Sequence, residues 1–453
     1  MDSRRSRPAK DIKQRLLKQL ENVGDKETRE LVMGNEQVSL VYLKSMCDPS
    51  LVTENLINRF YELRDVSEYE TYVKSFPSSK EAKDEEEALE GILAGYTSVF
   101  IKDHVYLFDV LLVEGSIVLP AETENVIQGP TDSFTENIDT NMNLVRRRYK
   151  TADLKSESMT IGRVSKTRIA ILYDITRVEK QVLDELRKRL SGIDADIIQT
   201  AADIERFTMN PKFRLFPTVM VSERPDRTVL NISQGKIAVM VDTTGYVILL
   251  PAIFNDYFTA MDDKVQLPPI GWFLKVIRYI GLFLTVLLPS LYVAFTSYNP
   301  EILKMQITLL IAGSRATVPY PSFFEVLFML LAMEFLTEAS VRLPKAIGPT
   351  ATTVGGLILG TAATEAGLVS NIMIILVAAV AITNFVIPVT MMSFGIRLSK
   401  YIFILLSTFF GLVGIVLGII AMIMYLCSLR SFGKPYLKMF AVERNGKEGQ
   451  RSG

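Results

Sequence analysis

Three ionisable side chains stand four residues apart in an otherwise apolar stretch: Glu334, Glu338 and Arg342. At that spacing they share one face of a helix. A charge at membrane depth is costly and normally faces a partner or a wet cavity. One chemistry open to such a row is an ion or proton path. The plainer reading is an ordering pair, Glu338 with Arg342, in the favourable acid-first orientation. Glu365 is the sharper residue. It sits in TTVGGLILGTAATEAGL, where Gly355, Gly356, Gly360 and Gly367 let helices approach closely. One face of that helix carries Thr350, Val354, Leu357, Thr361 and Thr364 or Glu365. Hydroxyls alternating with small apolar side chains suit a pore wall, and a narrow apolar ring gates by dewetting. Helix packing explains the same residues, and the residues alone leave both readings open.

Other chemistries find little support. The single histidine, His104, stands beside a strand, and the two cysteines, Cys47 and Cys427, lie in different regions, so no histidine/cysteine metal set is expected. Separated cysteines suit a reducing compartment. The Gly355–Gly360 spacing lacks the Lys-Ser/Thr of a phosphate-binding loop and lies in an apolar run. Arg146, Arg147 and Arg148 end a helix, where basic residues complement the dipole; a solvated cap, rather than nucleic-acid contact, is the expectation. Asn384 and Pro388 fit a bend or an interhelical hydrogen bond. With no nucleophile–base pair and no metal set, neither an enzyme nor a cofactor is expected.

These residues need elements to hold them, and the chain divides sharply. Charged residues make up 22% of the whole, yet few lie between Tyr279 and Tyr425. A stretch so poor in charge needs lipid as its solvent. The expected architecture is an α/β cytosolic N-terminal region of two subdomains followed by a multi-span α-helical membrane domain. The boundaries are 1–37 for a charged lead-in, 38–150 and 151–268 for the subdomains, 269–429 for the membrane domain and 430–453 for a basic cytosolic tail. The start, MDSRRSRPAKDIKQRLLKQL, lacks the apolar core of a signal peptide, which puts the soluble region in the cytosol.

In the first subdomain Val38–Leu43 reads as a strand, Pro49–Leu63 as a helix and Glu81–Glu90 as a solvated helix face. HVYLFDVLLVEGSIVLP reads as two strands around Glu114–Gly115, and Thr131–Tyr149 as a helix. After a polar linker, Lys150–Ser165, come the strand RIAILYD and a helix over Val178–Leu190. KIAVMVDTTGYVILLP then repeats the hairpin pattern, a likeness that suggests duplication. The membrane candidates are Trp272–Phe295, Phe323–Val341, Ala346–Ala366, Leu368–Ile387 and Tyr401–Leu426, with a shorter piece at Ile302–Ala312. Cytosolic termini require an even number of crossings, so one candidate is re-entrant or a further crossing is hidden.

Three stretches together resemble the A subunits of the GerA-type spore germinant receptors. The first is ENVIQGPTDSFTENIDTNMNLVRRR, with Gly129 and Pro130, where the family has Arg in place of Gln128. The second runs from Phe216 to Pro251 with Glu223, Arg224, Pro225 and Asp226. It ends in a hairpin turn, Asp242-Thr243-Thr244-Gly245, where the family shows Asp-Gly-Ser-Pro. The third, Arg342 to Pro388, follows the family's membrane signature. The resemblance implies a multi-pass protein of the bacterial spore inner membrane, its N-terminal domain and C-terminal tail on the core side. It implies a transporter-like B subunit and a lipoprotein C subunit as partners, with membrane lipid and no nucleic acid. It also implies a homo-oligomeric ring, a pentamer, forming a nutrient-gated cation channel that initiates germination. A paralogous group encoded with the dipicolinate channel genes shares the fold; the GTAATEAG-type stretch favours the receptor subunit. A non-conducting scaffold for the partners and a secondary transporter of a small solute are the alternatives, the latter weakened by spans without a visible repeat.

Overall fold

Along Glu36–Leu43 apolar residues alternate faces, as a strand requires. Val38, Leu40 and Tyr42 join one core with Val99, Ile101, Tyr106 and Phe108. Val41 and Leu43 join the opposite one with Phe100, Val105 and Leu107. The computed structural model describes residues 9–437 apart from 35, 78, 112–119, 125, 127–128, 209–213 and 345–346. It forms two units, Met1–Pro211 with Val219–Pro251, and Lys212–Thr218 with Ala252–Gly453.

The first unit opens with α1 (Ala9–Gln19), β1 (Lys26–Met33) and β2 (Glu36–Leu43). A helical run, α2, follows from Pro49–Leu51 through a π-helical Val52–Asn58 to Arg59–Glu62, then α3 (Val66–Ser75). Asp48 caps its start by accepting from the backbone of Ser50 and Leu51. Then come β3 (Lys80–Glu81), α4 (Glu85–Ala94), β4 (Tyr96–Ile101) and β5 (His104–Asp109). The strands form one antiparallel sheet in the order β1-β2-β4-β5-β3. Residues of α2 and α3, among them Leu56, Phe60 and Tyr69, cover one face. Residues of α1 and α4, among them Ile12, Leu16 and Ile92, cover the other.

After α5 (Ile138–Arg146) the pattern repeats: β6 (Leu154–Ile161), β7 (Thr167–Asp174), α6 (Lys180–Ser191), α7 (Ala201–Thr208), β8 (Met220–Ser222), α8 (Pro225–Ser233), β9 (Ile237–Val241) and β10 (Val247–Leu250). The order β6-β7-β9-β10-β8 is that of the first sheet, strand for strand and again antiparallel. The two α/β sheets are thus copies of one topology. The hairpin matching β9–β10 is β4–β5, one strand earlier than the sequence suggests; the expected turn at Glu114–Gly115 lies outside the described residues.

Three further expectations are corrected. The charged lead-in forms the expected helix, α1, but continues into the edge strand β1, and half of the polar linker over Lys150–Ser165 is the edge strand β6. Edge strands keep a polar face toward water and blur the apolar alternation. The helix expected from Thr131 starts only at Ile138, because Asn137 caps it by accepting from Asp139 and Thr140. Ahead of the cap, the Phe134 N–H donates to the Glu223 carbonyl and holds that stretch extended.

The second unit is helical: α9 (Pro268–Ser297), α10 (Met305–Arg315), α11 (Ser322–Arg342), α12 (Gly348–Glu365), α13 (Asn371–Phe385) and α14 (Thr390–Ser428). Among the described residues α9 and α14 are long and apolar enough to cross a membrane. Val293 of α9, Val326, Met329 and Leu330 of α11, Ala363 of α12, Met373 and Val377 of α13 and Ile404 of α14 share one core.

The last apolar run is not one straight helix. Gly411 breaks α14 at φ 57°, ψ −138°, a conformation open to glycine. Gly414 lies against the Leu406 carbonyl, and Gly418 against the side chains of Phe403 and Leu406. Residues this far apart cannot touch along a helix rising about 1.5 Å per residue. The chain therefore doubles back at Gly411 into two antiparallel legs. The Tyr298 ring packs on Gly411, and its hydroxyl donates to the Thr408 carbonyl. At the feet, Gly395 lies under the Leu215 carbonyl, and the Leu215 N–H donates to the Tyr425 hydroxyl at 2.8 Å.

This hairpin makes Gly414 intolerant of any side chain. Gly414→Ala is expected to cost on the order of 1–3 kcal/mol, because the carbonyl it meets is backbone and cannot rotate away. Gly313→Ala, at a helical position with nothing within 4 Å, should be neutral or stabilising by up to about 1 kcal/mol. Thermal denaturation of the detergent-purified protein checks both.

Candidate functional site

The Glu-Arg-Pro-Asp motif sits where β8 ends and α8 begins, with Pro225 at the first helical turn, where a missing N–H costs nothing. Glu223 turns back onto the segment before α5: its Oε1 accepts from the Thr123 hydroxyl at 2.7 Å and the Glu124 N–H at 2.9 Å. Burial pushes the Glu223 carboxyl up, but donors from Thr123, Glu124 and Glu122 outweigh it and hold the group below the usual carboxylate range. Arg224, almost wholly buried, grips Asp226 bidentately and donates to the carbonyls of Glu124 at 3.0 Å and Pro130 at 2.9 Å. Arg227 completes the set with the Glu124 carboxylate at 2.9 Å. Gly129 adopts φ 141° beside Pro130. The structure thus brings Gly129, Pro130 and Glu223–Asp226 together as a clamp on one segment. Across the same sheet, the turn of the β9–β10 hairpin puts Thr243 at φ 73°, with its N–H donating to the Glu136 carbonyl at 2.8 Å.

The three arginines that close α5 have separate fates. Arg146 is buried and holds Asp25, ahead of β1, with Nε at 2.8 Å. Ser156 and Ser45 donate to the same carboxylate. Burial raises the Asp25 carboxyl, and the Arg146 charge with these hydrogen bonds outweighs it, leaving the group lowered. Arg148 pairs with Asp132, and Arg147 is exposed. Among the described residues, one of the three, rather than a basic patch, faces water alone. His104 makes a surface contact with Glu81 at 2.7 Å.

In the second unit the row Glu334, Glu338, Arg342 is divided. Glu338 and Arg342 form an exposed pair at 2.6 Å on successive turns. Glu334 turns away to α14, where Lys400 Nζ lies at 2.8 Å and the Arg397 guanidinium donates to the same carboxylate. Lys400 is only 2% exposed. Glu325, whose role the sequence leaves unassigned, is 1% exposed; it accepts from the Ser370 N–H at 2.6 Å and the Tyr292 hydroxyl at 3.3 Å. Arg315 lies 3.3 Å from it. The carboxylate thereby ties α9, α10 and α11 to the start of α13. Asn384, near the end of α13, has a buried amide oxygen with no partner among the described residues.

The small-residue helix α12 packs through its glycines. An added Cβ at Gly348 would meet the Ser340 carbonyl at 3.0 Å, and one at Gly355 the Leu336 side chain at 3.0 Å; Gly360 faces Ile374 of α13. The opposite face is uncovered. Thr350, Val354, Leu357, Thr361 and Glu365 are exposed, and Thr364 is half-buried. Thr361 donates to the Leu357 carbonyl at 2.9 Å and Thr364 to the Gly360 carbonyl at 3.0 Å.

The sequence matches the family model described as Bacillus/Clostridium GerA spore germination protein over residues 14–449. Among curated relatives, spore germination protein KA of Bacillus subtilis (strain 168) is 33% identical over 441 residues, 94% of this chain and 80% of that protein. Spore germination protein GerQA of Bacillus cereus is 32% identical over 439 residues, 95% of this chain and 87% of the relative. A crystal structure of the N-terminal domain of the A subunit of the Bacillus megaterium spore germinant receptor GerK3 aligns at 27% identity. It covers 53% of this chain and 93% of that one, with a TM-score of 0.41.

The buried Asp25–Arg146 pair generates a stability prediction. Removing one partner strands the other, so Arg146→Met should destabilise by about 3–5 kcal/mol, while Arg147→Met should change stability by less than about 0.5 kcal/mol. Because the folded Asp25 value is lowered, its contribution is present above the unfolded value of 3.8. It is lost as pH falls through the folded one. Melts of parent and Asp25→Asn should therefore differ at neutral pH and converge in acid.

Proposed function

The chain belongs to the GerA family of spore germination proteins, and on that premise we propose that it is the membrane subunit of a nutrient-sensing spore germinant receptor, forming an oligomeric, nutrient-gated cation channel that initiates germination. The observation that carries this reading is the uncovered face of α12. Thr361 and Thr364 donate their protons to backbone carbonyls of the preceding turn, which leaves the exposed Thr361 hydroxyl's lone pairs turned outward. Oxygen lone pairs and the Glu365 carboxylate attract cations, while Val354 and Leu357 supply the apolar constriction that gates by dewetting. Lipid is a poor solvent for such a face. Copies of the chain arranged about an axis, five by family resemblance, would surround water with it.

The broken helix α14 supports an even count of crossings. With α9, α11, α12, α13 and two legs in α14, six passes keep the N-terminal domain and the C-terminal tail on one side, the spore core. The 15 residues of α13 make the shortest of these, about 22 Å at 1.5 Å per residue. A transporter-like B subunit and a lipoprotein C subunit complete the receptor, as the resemblance implies.

Ion flux through lipid vesicles holding the chain with both partners, before and after nutrient, tests the proposal. Nutrient should open a cation conductance. Val354→Ala should raise the nutrient-free leak, and Glu365→Lys should lower cation flux by about tenfold, the effect of about 1.4 kcal/mol. Both variants should assemble normally. Silence of the verified complex under every nutrient condition would instead favour a non-conducting scaffold.

A further inference from the structure

We propose that Glu334, Arg397 and Lys400 form an interhelical latch that positions the pore helix α12 and thereby sets the channel's resting state. The inference rests on the channel reading of α12. Glu334 lies midway along α11 and receives Lys400 Nζ at 2.8 Å and Arg397 Nε at 3.4 Å, both from the first leg of α14. The two cations stand three residues apart, on one face of that leg. Lys400 is buried, and Glu334 is the carboxylate it meets, so the ammonium depends on α11 staying where it is. A buried charge left without its partner is strongly unfavourable.

The same stretch of α11 carries α12. Leu336, two residues beyond Glu334, lies against Gly355, and the Ser340 carbonyl lies against Gly348. Both glycine contacts leave no room for a larger residue without a shift, so movement of that segment toward α12 displaces it. Glu334 therefore links the candidate pore wall to the α14 hairpin, whose tip is pinned by Tyr298. Nearer its other end α11 is fixed by Glu325 to Ser370 and Arg315. Of these two anchors, the one at Glu334 adjoins the α12 contact. Among the described residues it is also the only one of the row Glu334, Glu338 and Arg342 to reach another helix. Losing an interaction made in one of two states shifts their populations by that difference.

The test uses the full receptor with its partner subunits, read as abundance, nutrient-free cation flux and the nutrient concentration for half-maximal response. Glu334→Gln and Lys400→Met should each shift one of the two gating readouts by about tenfold, within the usual range of such couplings. Glu334→Asp and Lys400→Arg should stay near the parent, and the exchanged pair Glu334→Lys with Lys400→Glu should regain abundance while its gating stays shifted, because Arg397 then faces a second cation. Parent-like gating of the two neutral variants at parent abundance would overturn the proposal. Should they fail to accumulate, the exchanged pair decides. Restored abundance with shifted gating sustains the latch. Restored abundance with parent gating, or no accumulation at all, reduces the cluster to a folding requirement. Val354→Ala, measured alongside, separates the two levels. If the parent conducts and Val354→Ala alters it while the Glu334 variants do not, the latch falls; if the parent is silent, the channel reading falls.

Discussion

Carboxylates taken out of water, each answered by groups distant in sequence, hold both units in their shapes. Asp25 draws Arg146, Ser45 and Ser156 to the start of β1. Glu223 collects the backbone of Thr123 and Glu124. Glu325 caps the approach to α13, and Glu334 binds α14. An ionised carboxylate in a poorly hydrated interior costs several kcal/mol unless paired and hydrogen-bonded. Moving any of these elements alone would therefore strand a charge. Apolar packing supplies cohesion without direction; the carboxylates decide which strand, loop or helix meets which.

That division explains how much of the fold the sequence discloses. Strands buried on both faces, such as β7, β9 and β10, announce themselves as β-branched runs. The edge strands β1 and β6 do not. KETRELVM and LKSESMTI carry charges on the wet face, and they read as lead-in and linker. The α12 glycines were legible as packing residues, and the threonine face beside them as its complement. The partner of Glu334 was not. Sequence spacing displays pairs within one helix, such as Glu338 with Arg342, whereas Arg397 and Lys400 arrive only through the tertiary fold. Gly411 was equally hidden: a glycine in an apolar run signals a reversal only once Gly414 and Gly418 are seen against the leg before it.

The repeated sheet order shows what was kept and what varied. Each sheet has two strands, two helices, a far edge strand, a helix and a central hairpin. The hairpin turns differ in sequence yet share a demand, since Lys102 and Thr243 both take positive φ. Thr243 is β-branched, and such a residue at positive φ is strained. Its N–H to the Glu136 carbonyl and its hydroxyl to the Gln199 carbonyl hold it in place. The Glu-Arg-Pro-Asp clamp belongs to the second sheet, where β8 hands over to α8. Its charges are taken up by the chain itself, which makes it a device for fixing the segment before α5.

The outer surfaces of the helical unit are not alike, and the difference bears on what solvates them. Along α14, Phe394, Leu398, Phe409, Phe410 and Val413 are exposed; such side chains suit hydrocarbon. Along α12 the exposed row mixes Thr350, Thr361 and Glu365 with Val354 and Leu357. Threonine oxygens and a carboxylate lose hydration in lipid and gain nothing from it. Two surroundings remain for that row: the polar face of another protein, or water. A row that fills one face of one helix meets its own kind only across a rotation axis, since a cyclic arrangement turns the same stripe of every copy inward. On the channel reading, such an axis is lined by one α12 from each copy. On that same reading its width follows the helix that carries α12, so the contacts of α11 share control of the pore with the apolar residues of the pore wall.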